Sequence, residues 1–177
     1  DIFPKNPDVL KDFDAIIINN YDTTKLDQVQ KHYLEQWVSN GGALILGTGP
    51  SASKVLKGLD FDFISVTNGE IWEFTNFSEM EQMGGKRFDS TQALQGANLV
   101  IEKGVDILFS GDFPITSFVQ QGEGNIVVHY FDLGINPMAQ WDGNRYMLTE
   151  LYMRHVPVFI NMRQEQNNHY HDSSPYL

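Results

Sequence analysis

The stretch ALILGTGPSASKVL (residues 43–56) is an apolar run that stops at two glycines and a proline and continues into helix-forming residues. This pattern predicts a buried strand, a tight turn and a short helix over residues 51–59. A corner of this kind holds a phosphate in some proteins and a catalytic nucleophile in others. The rest of the sequence bears on whether this corner has such a chemistry or is a plain connection.

A second apolar segment, FDAIIINN (residues 13–20), precedes this corner. Its unbroken β-branched run predicts a strand that is covered on both faces, as in parallel sheets. The helix that follows is predicted to begin at a Thr24 cap and to end at Gly41. The alternation of strands and helices predicts an α/β fold with a mainly parallel core and helices on both faces. The apolar stripe of the helix contains Leu26, Val29, Tyr33, Leu34, Trp37 and Val38.

The middle and late parts of the chain alternate more strongly and are divided by Gly, Asn and Asp. They predict shorter strands with antiparallel pairing. QQGEGN (residues 120–125) predicts a hairpin that leads into the last core strand, and residues 143–155 predict a closing helix. The candidate middle strands are residues 61–66, 70–77, 97–104 and 105–111.

The length of 177 residues and the hydrophobic content of 41% suit one globular domain, which we assign to residues 1–160. Residues 161–177 are polar and lack periodicity, so we expect an extension or linker there. The absence of Cys excludes thiol nucleophiles and thiolate metal sites. No apolar stretch approaches the roughly 20 residues that cross a bilayer, so we expect no membrane insertion by this segment.

The charge balance restricts the class of partner. Twenty-three acidic and twelve basic residues give a net charge of −11. Such a field repels phosphate backbones and anionic lipid surfaces, so nucleic acid is not an expected partner. The chain begins at Asp1 without a signal peptide, and we therefore expect it to be a piece of a longer protein.

The corner matches a phosphate-binding pattern only weakly. GTGPSA (residues 47–52) fits G-x-G-x-x-A, but Pro50 removes one backbone N–H group. The Walker pattern fails because Lys54 lacks a preceding Gly and is followed by Val55. Since isolated glycine patterns are often coincidental, no nucleotide or other cofactor is predicted.

The corner also approximates a nucleophile elbow, since GPSAS (residues 49–53) is close to G-x-S-x-G around Ser51. A working serine needs a His base held by an acid. None of the five histidines follows a core strand on a loop, and no catalytic residue is predicted. A small ester, amide or sugar hydrolase that uses Ser51 or an acidic pair is the alternative. The histidines are His32, His129, His155, His169 and His171, and the acidic pairs are Asp60 with Asp62 and Glu79 with Glu81.

Three of these features have simpler structural interpretations. His129 lies in a predicted strand, where a hydrogen-bonded structural His is more common than a catalytic one. HYHD (residues 169–172) offers two His and Asp172 to a metal, but its polar surroundings favour a solvated segment, so no metal site is predicted. The acidic pairs stand in loop-like surroundings and are expected to be solvated surface.

Three segments resemble the class I glutamine amidotransferase-like domains. They are DFDAIIINN, WVSNGGALILGTG and GEGNIVVHYFDLGINPMAQWDGN, at residues 12–20, 37–49 and 122–144. The last is similar to divergent, membrane-associated bacterial members of the family. The resemblance covers roughly residues 8–155. It implies a flavodoxin-like sheet and an extracytoplasmic position, with attachment to the cell membrane by segments outside this chain.

Active members of this family carry a Cys at the elbow and a His and a Glu after a late strand. The resemblance puts Gly49 at the nucleophile position, and the late loop DLGINPM (residues 132–138) has neither His nor Glu. Without a nucleophile and a base, glutamine hydrolysis is not expected. The resemblance therefore implies a non-catalytic domain that binds or positions neighbouring domains of the same protein.

A remnant of the crevice at this corner is a candidate site for a small polar or anionic ligand. In the alternative interpretation, which we favour, Asn19 and Asn20 form a turn and Trp141 fills the core. The candidate lining consists of Asn19, Asn20, Thr48, Gly49, Ser51, Asp132, Asn136 and Trp141.

Overall fold

The β-branched and alternating segments form seven strands in two sheets, and the helical segments form five α-helices. The computed structural model describes residues 3–89 and 91–172. The strands are β1 (Ala15–Asn19), β2 (Ala43–Gly47), β3 (Ile64–Phe74), β4 (Leu94–Ile101), β5 (Val105–Ser110), β6 (Phe113–Gln121) and β7 (Gly124–His129). The α-helices are α1 (Gln28–Ser39), α2 (Ala52–Leu56), α3 (Ser78–Gly84), α4 (Asn144–His155) and α5 (Pro157–Asp172).

The main sheet is mixed and has the strand order β1-β2-β7-β6-β5. Strands β1, β2 and β7 run parallel, whereas β6 and β5 are antiparallel to their neighbours. The α/β class and the late hairpin are confirmed, but the prediction of a mainly parallel core is wrong. The tight connection at residues 122–123 explains the difference, because strands joined by so short a turn pair antiparallel.

The second sheet contains β3 and β4, which pair antiparallel. Two of the predicted middle strands, residues 61–66 and 70–77, are largely one strand, β3. The pairing of β3 with β4 is irregular between Val66 and Ile71, near the position where the sequence predicted a break.

Helices cover both faces of the main sheet, as predicted. Leu34 of α1 and Val55 of α2 are buried against one face with Leu44 and Val128. On the other face, α3, α4 and α5 cover a core that contains Ile45, Met80, Val127, Met147, Leu151 and Val158. The closing helix α4 agrees with its prediction.

Helix α1 begins three residues later than predicted after its cap. Its N-cap is Asp27, whose side chain accepts the N–H of Gln30, and the Gln30 side chain accepts the N–H of Asp27. Thr24 instead lies in a 3₁₀ turn capped by Asp22. Val29 is exposed although it belongs to the predicted apolar stripe, and Gln30 is buried because its amide donates to Phe3 O at 2.8 Å.

Two further predictions differ at the ends of the chain. Strand β1 is at an edge of the sheet and Ile17 is 58% exposed, so the prediction that both faces are covered is wrong for this strand. Helix α5 crosses the predicted boundary at residue 160, and its first turn packs through Val158 and Phe159 against the core. None of the described helices has the length and apolar character required to cross a membrane.

Candidate functional site

The corner after β2 is tied by hydrogen bonds to the backbone that follows β7. Thr48 is fully buried, and its hydroxyl donates to His129 O at 2.7 Å. The N–H groups of Thr48 and Gly49 donate to Phe131 O and Tyr130 O at 3.0 and 3.2 Å. A 3₁₀ turn over Gly49–Ser51 then leads into α2. The predicted strand, turn and short helix are therefore present, with α2 itself shorter than predicted.

Gly49, the position of the family's nucleophile, has no room for a side chain. Its φ of +59° lies in the left-handed region that residues with a Cβ rarely adopt. A Cβ built on Gly49 would lie 2.8 Å from Asp132 N and 3.2 Å from Gln95 O. Both are backbone atoms, so rotation of a side chain cannot relieve the contact. Glycine is required here both by conformation and by space.

Strand β4 passes over this corner. Ala97 N donates to Tyr130 O at 2.7 Å, and Gly96 forms an isolated antiparallel bridge with Phe131. Leu94, at the start of β4, packs in the core on the α4 face of the main sheet, whereas Leu99 packs on the α1 face. The strand therefore crosses from one face to the other at the carboxyl end of β2, where a ligand crevice was predicted.

Asn19 and Asp132 bond to each other next to the corner. Asn19 Nδ2 donates to Asp132 Oδ1 at 2.8 Å, and Asn19 Oδ1 accepts the N–H of Leu133 at 2.9 Å. The N–H of Gly134 also donates to Asp132 Oδ1, at 2.8 Å. A Cβ on Gly47 would overlap the carboxamide of Asn19. These polar groups satisfy one another and join the ends of β1 and β7 across β2.

Ser51 lies beyond the corner and faces a different group. Its hydroxyl donates to Asn20 Oδ1 at 3.1 Å, and the same oxygen accepts from Lys54 Nζ at 3.0 Å. Asn20 holds a φ of +53°, which fits the predicted turn. Among residues 3–89 and 91–172, no imidazole is a hydrogen-bond partner of Ser51. An amide oxygen accepts a hydrogen bond but is a very weak base, so this arrangement does not activate the hydroxyl.

His129 has a structural position under the sheet. It is fully buried, with Nδ1 2.8 Å from Thr116 Oγ1 and Nε2 2.7 Å from the hydroxyl of Tyr152. Burial lowers the pKa of His129 to about 3, and burial raises the pKa of Tyr152. Both ring nitrogens have partners, so the imidazole is neutral and is not free to act as a base for Ser51. The interpretation as a structural His agrees with this geometry.

The structure does not bring Asn136 and Trp141 into the corner. Asn136 is exposed on the loop after β7. Trp141 packs with Phe88 at a ring distance of 5.2 Å, and its indole N–H donates to Arg87 O at 3.0 Å. The backbone of Gly84 and Gly143 lies against the indole ring. Trp141 therefore fills the core, as the favoured alternative predicted.

One acidic pair is structural rather than solvated. Glu79 and Glu81 lie on α3, not in a loop, and both are half-buried. Glu79 Oε2 accepts the N–H of Phe109 at 2.8 Å, and Glu81 Oε1 accepts the N–H of Phe88 at 2.7 Å. The helix was missed because its seven residues are too few to show a clear period. These carboxylates stabilise backbone groups and do not face each other as an acid and base.

The other acidic pair and the metal candidate are also placed. Asp60 and Asp62 lie on the segment between α2 and β3, and Asp62 is exposed. The described residues contain no group of three or more His, Asp or Glu side chains arranged to hold a metal ion. The backbone of HYHD (residues 169–172) continues α5, but its side chains lie outside the described part of the structure.

Comparisons with known proteins identify the fold but no family. The chain matches no protein-family model and no curated protein sequence. Cytoplasmic protein STM3548 from Salmonella typhimurium has a similar structure, with 15% identity and a TM-score of 0.56 over 88% of this chain and 76% of that one. The mmIFT52 N-terminal domain is similar with 16% identity and a TM-score of 0.58, over 85% and 80% of the two chains.

A part of a much larger enzyme has a related fold. The exo-β-1,4-mannosidase Op5Man5 from Opitutaceae bacterium strain TAV5 is 12% identical, with a TM-score of 0.51 over 83% of this chain and 26% of that one. None of these three proteins is described as a glutamine amidotransferase. Likeness at such low identity shows a shared fold and does not transfer an activity.

Proposed function

We propose that this chain is a non-catalytic, amidotransferase-like domain that serves as a binding or scaffold module within a larger bacterial protein. The observation that supports the proposal is the closed corner at Gly49. The position that an active relative uses for its nucleophile has no side chain here, and backbone atoms of Asp132 and Gln95 occupy the direction in which a Cβ would point.

The chemistry around the corner supports the same conclusion. Acyl transfer needs a nucleophile, a base within hydrogen-bond reach and space for the reacting carbonyl. Ser51 bonds to the amide of Asn20, and the buried imidazole of His129 is engaged by Thr116 and Tyr152. The polar groups closest to the corner, Asn19 and Asp132, are engaged with each other. These bonds stabilise the fold and leave the corner without a reactive group.

The proposed setting follows from the resemblance in the three segments and from the charge. A flavodoxin-like domain of this kind would be held at the outer side of the cytoplasmic membrane by other parts of the protein, and would position neighbouring domains. The net charge of −11 disfavours direct contact with anionic lipids, which supports contact with protein instead.

Hydrolysis assays test the proposal. The parent chain and the Ser51→Ala variant are incubated with L-glutamine and with a panel of simple esters and amides, and Ser53→Ala serves as the control because Ser53 is exposed one turn away. We expect no hydrolysis above the buffer rate for any of the three. Activity in the parent and in Ser53→Ala that is absent in Ser51→Ala would establish the alternative, a serine hydrolase.

A further inference from the structure

The two edges of the main sheet differ in how they are protected. An edge strand presents unpaired N–H and C=O groups that can pair with another chain, and proteins usually block such edges with charges, bulges or irregular backbone. At the β5 edge, the pairing with β6 is irregular in two places, and Glu79 accepts the N–H of Phe109. That edge is poorly suited to a further strand.

The β1 edge has none of these devices. All five residues of Ala15–Asn19 pair with β2 in unbroken parallel register. The strand contains no charged residue, no proline and no bulge, and Ile17 is 58% exposed. The free side of β1 therefore offers a regular, apolar template about 17 Å long, at about 3.3 Å per residue.

An apolar groove of about 470 Å³ runs beside this edge. Its outer wall consists of Phe3, Pro4, Leu10 and Phe13, and its inner wall is β1 itself. A strand added to β1 would place alternate side chains to either side of the sheet, and apolar ones would fit the groove. Such a combination of backbone pairing and side-chain pockets is how proteins recognise extended peptides.

The charges near the groove indicate the character of the occupant. Asp12 and Asp14 are exposed at the start of β1, and neither is in an ion pair in the described part of the chain. Lys11 is neutralised by Asp8 at 2.6 Å. A second copy would bring another net charge of −11 to the same place. A segment with basic flanks is therefore favoured over self-association.

We infer that the free edge of β1 is a docking edge for an extended, apolar segment with basic flanks that belongs to another polypeptide. The segment adds to the sheet as a sixth strand and places an apolar side chain in the groove between β1 and Phe13. This inference rests on the proposed binding function and names the class of partner that the domain binds.

Peptide binding tests the inference. The probe is a fluorescein-labelled peptide of alternating valine and threonine flanked by lysines, and its fluorescence anisotropy is measured with the parent chain. We expect saturable binding that is weakened about tenfold or more by Ile17→Lys, which puts a charge on the edge. The matched control is Val105→Lys, which changes a residue that is 63% exposed on the other edge and should leave binding unchanged.

Two further measurements give the inference sharp limits. A peptide flanked by glutamates instead of lysines should bind at least about tenfold more weakly. No saturable binding of the basic peptide up to about 1 mM would overturn the inference. So would equal weakening by both lysine variants, or a dimer in sedimentation that Ile17→Lys dissociates. Urea unfolding of each variant confirms that it is folded, and the hydrolysis assays test the non-catalytic proposal independently.

Discussion

The carboxamide of Asn19 donates to the carboxylate of Asp132 at 2.8 Å, across the end of the strand that lies between them. Asn19 ends β1, whereas Asp132 follows β7, and the Gly47 end of β2 fits beneath their contact. Asp132 is only 2% exposed. The two side chains that were predicted to line a ligand crevice therefore bond to each other and close it.

Removing the Asn19 carboxamide should destabilise the domain. We expect Asn19→Ala to lower the free energy of unfolding by about 2 kcal/mol, because a hydrogen bond to a buried carboxylate is lost. Urea unfolding followed by circular dichroism measures this change. The control is Asn20→Gly, which removes an exposed contact at a φ of +53° that glycine accepts, and should change stability by less than about 0.5 kcal/mol. Equal effects of the two substitutions would contradict this account.

The buried His129 makes the stability depend on pH. Its pKa is about 3 in the folded state, and about 6.5 when the chain is unfolded. Between these values the unfolded chain binds a proton that the folded chain does not, so the free energy of unfolding falls as the pH is lowered from about 6.5 towards 3. Above pH 6.5 this group contributes no pH dependence, because the ring is neutral in both states.

Urea unfolding between pH 4 and pH 8 tests this dependence. The contribution of His129 should approach about 1.4 kcal/mol per pH unit in the acidic part of the range and should be absent from His129→Gln. His155→Gln is the control. Its pKa is also lowered, by partial burial and by Arg154, but less strongly, so it should retain most of the slope. Identical slopes for the parent and His129→Gln would show that the imidazole is not buried as described.

The contact between α3 and the edge strand β5 should also be measurable. Glu79→Ala leaves the N–H of Phe109 without its acceptor, and we expect a loss of about 1 to 2 kcal/mol in the free energy of unfolding. Glu165→Ala removes an exposed carboxylate from α5 and should have an effect near zero. Amide hydrogen exchange should show faster exchange at Phe109 in the first variant alone. Unchanged protection there would argue against the contact.

The parts of the fold that depend on local pattern were predictable from the sequence. The apolar run before Gly47, the turn at residues 122–123 and the periodicity of α4 each act within a short stretch of chain, and each forms as expected. The parallel strand pairs followed from the alternation of strand and helix. The extent of parallel pairing did not, because pairing between distant strands leaves little trace in local composition.

The state of the candidate site was harder to predict for the same reason. The sequence correctly indicated that Gly49 could not supply a nucleophile. It gave no sign that the corner is covered by Gln95 and its neighbours in β4, since the covering groups are backbone atoms that any residue provides. Glu79 and Glu81 were misplaced because the helix that carries them is short and its partners are backbone N–H groups.

The most direct test of the closed corner compares two glycines that share a conformation. Gly49 and Gly85 have φ values of +59° and +62°, but a Cβ on Gly85 would meet no atom within 4 Å. Both alanine variants bear the conformational cost of about 1 kcal/mol, and only Gly49→Ala adds a clash with backbone. Urea unfolding should therefore show a loss of about 1 kcal/mol for Gly85→Ala and about 2 to 5 kcal/mol for Gly49→Ala. Equal losses would mean that the corner has room for a side chain, and would contradict the account.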